Sequence, residues 1–305
     1  MTHTLNTSRE ILISCDAWND YELLDSGRER RLERLGSTII DRSEPKAWWE
    51  PDLKPSEWKK AVAYHTADKE GRWIFKSPIP LEWPVHYQGL TLEIRFAGTS
   101  KHIGVFPEQS AHWQWITQVL KHAPHQPIRL LNLFGYTGVI SLLAAKAGCT
   151  VTHVDAAAKI LEWAKKNQKL SGIDEKKIRW IVDDAFKFAK REARRGKTYD
   201  AIILDPPQFG KGPSEEVWKI RRDLRELLQS CREILSDNPL FVILNLYSIS
   251  QSAVIIGNLL QDMMGDLDGT IELGELVLKP KNREKKLPLS IFGRWRTQAL
   301  DNILS

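Results

Sequence analysis

The sequence predicts a doubly wound α/β domain, a parallel sheet with helices on both faces, preceded by a smaller and mostly β domain. From about residue 120, short apolar runs alternate with helical patterns, as in chains that build parallel sheets through right-handed crossovers. Earlier in the chain, candidate strands such as Leu90–Phe96 alternate at period two, as half-buried strands do. Six prolines lie between residues 45 and 84, and eight of the twelve tryptophans lie before residue 120. We therefore predict a small β-rich domain over residues 9–107, with a role in substrate recognition, and an α/β domain over residues 108–305.

The α/β part is predicted to contain seven strands. Five apolar runs have the composition of parallel strands that are buried on both faces, and a helical pattern follows each of the first four. The last two strands have little helix between them, which predicts an antiparallel hairpin at the edge of the sheet. The predicted strands are Ile128–Leu133, Thr150–Val154, Ile178–Val182, Ala201–Leu204, Leu240–Leu244, Ile271–Leu278 and Ile291–Thr297, and the helical patterns cover Val139–Ala147, Ala157–Leu170, Phe186–Arg194 and Glu215–Leu235.

Composition limits the class of protein. Lysine and arginine number 44 against 39 aspartates and glutamates, and the formal net charge of +5 permits a polyanionic partner without requiring one. Cys15, Cys149 and Cys231 have neither metal-ligand nor disulfide-framework spacing. No apolar run reaches 18 residues, and the N-terminus has no apolar signal core. We expect a cytoplasmic protein without a metal site or a membrane span.

The ends of the first three predicted strands carry residues that suit an adenosine ligand. The first strand runs into LNLFGYTG, where Gly135 and Gly138 allow a ligand close to the backbone. The pattern is G-x-x-G and lacks the third glycine of a dinucleotide site. Asp155 closes the second strand, where an acid accepts both ribose hydroxyls, and residues 183–185 (Asp-Asp-Ala) close the third beside the expected adenine. An adenosine without a pyrophosphate fits these positions, and S-adenosylmethionine is such a ligand. Taken singly, the acids also suit helix N-caps and the glycines an ordinary turn.

The fourth strand ends in DPPQF. Proline cannot donate to a sheet ladder and restricts the residue before it, so Asp205-Pro206-Pro207 stops the strand in a rigid loop. We interpret this loop as a clamp for a flat polar substrate. Phe209 would stack on a base, and Asp205 or a loop carbonyl would accept a hydrogen bond from that base. A structural Pro-Pro loop is the alternative, and Gly210–Pro213 is either a lid or an ordinary connection. The candidate catalytic residues are Asp205, Pro206, Pro207 and Phe209.

These motifs also carry a resemblance to a known family. LNLFGYTG, HVDAAAKILEWAKKN, WIVDDAFKF and ILDPPQFG resemble class I S-adenosylmethionine-dependent methyltransferases, and more narrowly the ribosomal RNA large-subunit methyltransferases that include cytosine-5 and guanine-7 enzymes. HIGVFPEQSAHWQWI resembles the segment that joins the small β domain of that family to its catalytic domain, while the PUA domain of some members has no evident counterpart. The resemblance implies a Rossmann-like sheet and S-adenosylmethionine as the cofactor. The residues it implies for cofactor binding are Phe106, Gln109, Asn132, Phe134, Gly135, Tyr136, Thr137, Gly138, Asp155, Ala156, Asp183, Asp184, Ala185 and Phe186.

One departure from that family bears on the reaction. Methylation of carbon 5 of a pyrimidine needs a thiolate that first adds to the ring, and relatives that do this have a cysteine after the fifth strand. This chain has Leu244–Ser250 there, with no cysteine. We therefore expect a ring or exocyclic nitrogen as the methyl acceptor.

Three functions stay open on the sequence alone. The first is methylation of a nitrogen of an RNA base, with ribosomal RNA as the expected substrate. The second is methylation of a protein side chain or small molecule, since the glutamine methylation of release factors uses a related loop. The third is a non-catalytic RNA-binding protein that retains the fold. Basic residues cluster over 191–197 and 279–286, where phosphate contacts and simple solvation explain them equally. The early tryptophans serve either packing or base stacking.

Overall fold

The computed structural model describes residues 5–7, 11–14, 18–66, 71–124, 126–247, 251–281 and 283–300. The backbone divides into two compact units. The larger unit contains the described residues up to Ile13, then His112–Leu276 and those from Ser290 onward, and the smaller unit contains Ser14–Ala111 and Val277–Leu289. The functional division between residues 9–107 and 108–305 stays a prediction.

The described residues form eighteen strands and seven α-helices. In chain order the strands are β1 (Leu5–Thr7), β2 (Ile11–Ser14), β3 (Tyr21–Gly27), β4 (Arg30–Leu35), β5 (Thr38–Ser43), β6 (Ala63–His65), β7 (Trp73–Phe75), β8 (Glu82–Tyr87), β9 (Leu90–Arg95), β10 (Arg129–Leu133), β11 (Thr150–Asp155), β12 (Ile178–Val182), β13 (Ala201–Leu204), β14 (Phe209–Lys211), β15 (Val217–Lys219), β16 (Phe241–Tyr247), β17 (Gly269–Leu278) and β18 (Leu287–Thr297). The helices are α1 (Pro55–Trp58), α2 (Ser110–Lys121), α3 (Val139–Lys146), α4 (Ala158–Leu170), α5 (Ala185–Arg194), α6 (Ile220–Glu233) and α7 (Val254–Met264).

A nine-stranded sheet forms the frame of the larger unit. Its order is β1-β17-β18-β16-β13-β10-β11-β12, with β2 also paired to β17. The strands from β16 to β12 are parallel, and β18 runs antiparallel to β16. Strand β13 is buried along its whole length, and the central strands pack with α5, α6 and α7 in one hydrophobic core. The structure confirms the Rossmann-like sheet of seven strands with its C-terminal hairpin, and the short strands β1 and β2 extend it.

The predicted elements recur within a few residues, with one correction. The helical pattern predicted over Glu215–Leu235 is wrong in its first turn, because Val217–Lys219 forms β15 and pairs antiparallel with β14. The helix begins only at Ile220. The prediction had no counterpart for α2 or α7.

The smaller unit contains a five-stranded sheet and a separate hairpin. The sheet order is β3-β4-β5-β6-β7, and β8 pairs with β9. Buried charges are paired inside this unit: the Arg42 guanidinium donates to both carboxylate oxygens of Glu33 at 2.6 and 2.7 Å, and the Tyr21 hydroxyl donates to the same carboxylate at 2.9 Å. No helix among the described residues is long and apolar enough to cross a membrane. The location of the protein stays a prediction.

Candidate active site

Four strand ends meet at one edge of the large sheet. Strands β10 to β13 are parallel, and the register places Leu133 opposite both Val154 and Leu204, and Asp155 opposite Val182. The order of the strands reverses between β10 and β13, and open α/β sheets bind ligands at such a reversal. The fold therefore brings the four predicted strand-end motifs to the place where a ligand is expected.

The loop after β10 adopts an unusual backbone conformation. Phe134 and Tyr136 have φ values of +58° and +52°, and Gly138 has +86° at the start of α3. Positive φ is uncommon for residues other than glycine and clusters at functional sites. The Tyr136 N–H donates to Asp155 Oδ2 at 3.0 Å, so the end of β11 holds the loop in this shape.

Gly135 is required for a reason that the sequence did not indicate. A Cβ at this position would lie 2.3 Å from His153 Cε1 and 2.9 Å from Asn132 Nδ2. The missing side chain thus makes room for a buried imidazole. Burial lowers the pKa of His153 to about 3, so the ring is neutral. The distance between His153 Nδ1 and Ser141 Oγ is 2.9 Å, and Ser141 Oγ accepts a hydrogen bond from Asn132 Nδ2 at 3.0 Å. The predicted site residue Asn132 therefore takes part in a buried network below the loop.

Asp155 accepts one backbone hydrogen bond on each of its carboxylate oxygens. Its Oδ1 accepts from the Ala157 N–H at 2.9 Å and its Oδ2 from the Tyr136 N–H at 3.0 Å. Burial raises the pKa of this carboxyl. Each carboxylate oxygen has about two acceptor positions, so one on each oxygen is left for a ribose hydroxyl. The donor and acceptor chemistry at this strand end thus fits an adenosine.

The two acids after β12 have different partners. Asp183 Oδ2 forms an ion pair with Arg191 at 2.6 Å, and its Oδ1 accepts from the Asp184 N–H. Asp184 caps α5 by accepting from the Lys187 N–H at 2.9 Å, so the N-cap interpretation is correct for this residue. Its second carboxylate oxygen has no hydrogen bond among the described residues. That oxygen is the one available to an adenine amine.

The remaining predicted cofactor residues lie in two places. Phe106 and Gln109 belong to the smaller unit, where the Phe106 ring lies 4.9 Å from the His102 ring and Gln109 is buried in a 3-10 turn. Their role toward the cofactor stays a prediction. Thr137 and Ala185 are buried at the site edge of the larger unit, and Ala156 and Phe186 are half-buried.

Asp205 is held by Asn245, which the sequence did not single out as functional. Asn245 Nδ2 donates to Asp205 Oδ1 at 2.7 Å. Asn245 lies on β16 and is 1% exposed, and β13 and β16 pair with Leu204 opposite Leu244. A buried amide donor on the neighbouring strand thus orients the carboxylate. The available signal was one polar residue within the apolar run Phe241–Leu246.

The DPPQF loop continues into a two-stranded hairpin, in which Gly210 and Lys211 belong to β14. Whether Gly210–Pro213 acts as a lid or as an ordinary connection stays a prediction. The buried Trp218 of β15 donates its indole N–H to the Pro207 carbonyl at 2.6 Å, and its ring lies 5.2 Å from that of Phe134. Trp218 therefore links the DPPQF loop to the loop after β10. Pro206 is buried, while the Phe209 side chain is 71% exposed.

Neither described cysteine suits a nucleophile. Cys149 and Cys231 are both buried. Burial raises the pKa of Cys149 to about 12 and also raises the pKa of Cys231, so neither forms a thiolate at neutral pH. Cys15 and residues 248–250 lie outside the described residues. Within the described ranges, no group of three or more His, Cys, Asp or Glu side chains could hold a metal ion.

Comparison with known proteins decides the family. The model of the S-adenosylmethionine-dependent methyltransferase family matches residues 41–256. The chain belongs to this family. The enzyme is therefore a methyltransferase with S-adenosylmethionine as its cofactor. The fold is similar to the crystal structure of the SAM-dependent methyltransferase from Agrobacterium tumefaciens, with a TM-score of 0.94 and 40% sequence identity. The match covers 98% of this chain and 97% of that one.

Two curated relatives are similar to part of the chain. The chain is 34% identical to ribosomal RNA large subunit methyltransferase K of Neisseria meningitidis over 123 residues. This match covers 39% of this chain and 35% of that protein. It is 32% identical to ribosomal RNA large subunit methyltransferase I of Klebsiella pneumoniae over 144 residues. This match covers 45% of this chain and 33% of that protein. The chain thus spans about a third of the length of these relatives.

Proposed function

We propose that this methyltransferase transfers a methyl group to a nitrogen of an RNA base, with ribosomal RNA as the substrate. The names of its relatives support RNA as the substrate class. The observation that carries the proposal is the DPPQF loop, where a carboxylate oriented by Asn245 lies four residues before the exposed ring of Phe209. A stacking platform and an acceptor for an N–H group are the two features that a flat, nitrogen-bearing acceptor needs.

The chain's own residues would position the acceptor. S-adenosylmethionine, when bound, supplies a methyl group on a sulfonium, which is transferred by in-line attack. Phe209 stacks on the base and excludes water from one of its faces. Asp205 accepts a hydrogen bond from an N–H of the base, and its negative charge stabilises the positive charge that develops on the attacking nitrogen. Positioning of this kind is worth roughly 7–11 kcal/mol of the barrier, and the proton of the methylated nitrogen leaves to solvent.

The outer face of the hairpin suits RNA. Side chains alternate between the two faces of a strand, and Gly210 is paired with the buried Trp218. The other face presents exposed side chains, with Phe209 opposite Lys219 and Lys211 opposite Val217. Lys211 also forms a surface ion pair with Glu215 at 2.9 Å. Apolar and cationic groups thus alternate across one small surface, as contacts to bases and phosphates require.

The state of the cysteines supports nitrogen over carbon as the acceptor. Carbon-5 chemistry needs a thiolate, and both described cysteines are buried with a raised pKa. An amine or ring nitrogen attacks the methyl group without covalent help from the protein. The chain's own site residues then need only orient that nitrogen.

The test is transfer of labelled methyl from S-adenosylmethionine to total RNA from cells that lack this protein, followed by digestion to nucleosides. We expect a labelled N-methyl nucleoside with the wild-type chain. The label should fall strongly with Asp205→Ala and with Phe209→Ala, and be largely retained with the matched control Phe209→Tyr, which keeps the ring. Labelled 5-methylcytosine would overturn the nitrogen assignment. No labelled RNA, while calorimetry shows intact cofactor binding, would assign the acceptor to protein or a small molecule.

A further inference from the structure

Trp48 differs from the other tryptophans of the smaller unit. Its side chain is 84% exposed, whereas Trp18 and Trp73 are 5% and 8% exposed. The neighbouring Trp49 is half-buried and donates its indole N–H to the Ser26 carbonyl at 2.9 Å. Packing therefore accounts for these other tryptophans and does not account for Trp48.

The Trp48 ring is held in place although it is exposed. Its indole N–H donates to the Pro45 carbonyl at 2.6 Å, and its backbone N–H donates to the Lys46 carbonyl at 3.1 Å. Within the described part of the chain it contacts no other aromatic ring. The hydrogen bonds of this turn already fix the indole, and its faces are free. Little side-chain entropy therefore remains to be lost when a ligand binds. Such a ring is preorganised for stacking.

A cationic loop runs beside the segment that contains Trp48. Lys285 Nζ donates to the Glu50 carbonyl at 2.6 Å and to Asp52 Oδ1 at 2.5 Å. On the other side of Trp48 in the chain, Lys46 Nζ donates to the Leu289 carbonyl at 2.7 Å. These contacts tie the segment to the loop between β17 and β18 and to the start of β18. All of these residues belong to the smaller unit.

The charge of this loop is strongly one-sided. It contains one acid, Glu284, which lies 3.7 Å from Lys279. Lys281 and Lys286 are exposed and form no ion pair with any described residue. Two exposed cations on a loop that contacts the segment containing Trp48 have the charge that RNA phosphates require. The cations of the loop are Lys279, Lys281, Arg283, Lys285 and Lys286.

We propose that Trp48, Lys281 and Lys286, together called the Trp48 surface, bind an unpaired segment of the RNA substrate. One base stacks on the indole, and Lys281 and Lys286 contact the neighbouring phosphates. The inference rests on the proposed function, because it assumes that the substrate is RNA. The Trp48 surface would be a second RNA contact besides the DPPQF loop. It binds substrate and takes no part in the chemistry.

The test measures binding of a fluorescently labelled single-stranded ribosomal RNA fragment to the full chain by anisotropy, at several salt concentrations. We expect Trp48→Ala to weaken binding about ten- to a hundredfold, and Trp48→Phe to restore most of the loss. Because each neutralised phosphate of a single strand contributes about 0.7 to the salt slope, Lys281→Gln with Lys286→Gln should reduce that slope by about 1.4. The matched control, Lys165→Gln with Lys169→Gln on α4, removes the same charge from exposed positions and should leave both quantities near wild type.

The outcomes separate this inference from the proposed function. Wild-type affinity in Trp48→Ala, with RNA still bound and methylated, would overturn the Trp48 surface alone. Equal competition by a fully paired RNA duplex would overturn the requirement for an unpaired segment. Wild-type protein that neither binds nor methylates RNA would overturn both proposals. Cofactor affinity, measured by calorimetry, should be the same in all variants, which confirms that they are folded.

Discussion

Replacing Asn245 with leucine tests whether the orientation of Asp205 matters for methyl transfer. Asn245 Nδ2 donates to Asp205 Oδ1 at 2.7 Å from a position that is 1% exposed. Hydrogen bonds to charged groups are worth about 1.5–3 kcal/mol, which corresponds to roughly a ten- to hundredfold change in rate. Leucine has nearly the same volume and removes the donor. We therefore expect kcat to fall by that factor.

The fold and the cofactor site should be little affected by this change. The Asn245 Oδ1 atom is buried and has no hydrogen-bond partner among the described residues, so leucine also removes an unpaired acceptor, which offsets part of the lost bond. The hydrogen bonds found for Asp155 and Asp184 go to Tyr136, Ala157 and Lys187, and Asn245 takes part in none of them. We expect the dissociation constant for S-adenosylmethionine, measured by calorimetry, to stay within about twofold of wild type.

A double-mutant cycle decides whether Asn245 acts through Asp205. Single-turnover methyl transfer would be measured for wild type, Asn245→Leu, Asp205→Ala and the double variant. If Asn245 acts by orienting the carboxylate, its replacement costs nothing further once Asp205 is alanine, and the coupling energy is about 1.5–3 kcal/mol. Asn245→Asp, which keeps the shape and adds a second carboxyl at the same distance, should lose at least as much activity. Additive losses in the cycle would refute the reasoning, because they would show that Asn245 acts independently of Asp205.

Three further predictions follow from contacts around the same site. Gly135→Ala should lower the melting temperature and weaken cofactor binding, since its Cβ would lie 2.3 Å from His153 Cε1 and overpacking costs about 1–3 kcal/mol; if adding His153→Ala fails to restore stability, the clash is not the cause. Trp218→Phe removes the indole donor to the Pro207 carbonyl and should lower kcat with a stability loss of about 1 kcal/mol, measured by thermal unfolding, and an unchanged kcat would contradict a role for that bond. His153 is neutral when folded, with a pKa of about 3, while the unfolded side chain protonates near pH 6.5. The unfolded state then binds the extra proton, so stability should fall by up to about 1.4 kcal/mol per pH unit as pH decreases below 6.5; urea titrations should show a shallower slope for His153→Gln, and equal slopes would refute the assignment.

Local features of the sequence predicted the sheet well. Strands that are buried on both faces must be apolar along their length, so runs such as Ala201–Leu204 stand out. Prolines and glycines mark where such runs end. The start of α6 was misplaced because Val217–Lys219 continues a helical pattern while pairing with β14. Pairing of this kind depends on the partner strand, and no local pattern encodes it.

At the candidate site, the sequence indicated some of the contacts and missed those between residues far apart in the chain. Asp155 was expected to hold a ribose, and its two backbone donors leave room for that role. Asp183 forms an ion pair with Arg191, which the sequence placed only in a basic cluster, and the role of Asp183 toward the cofactor stays a prediction. Asn245 and Trp218 were missed, since their importance comes from Asp205 and Pro207, which they contact across 40 and 11 residues of chain.

The sequence by itself determined the order of strands and helices and the residues at which the strands end. These follow from periodicity, proline and glycine, which act over a few neighbouring residues. Only the tertiary structure decided which groups meet. The register of β13 with β16 places Asn245 against Asp205. The conformation of the loop after β10 places Gly135 against His153. The packing of the smaller unit buries its other tryptophans more deeply than Trp48. Contacts between segments far apart in the chain depend on strand order and register, and these are properties of the whole fold.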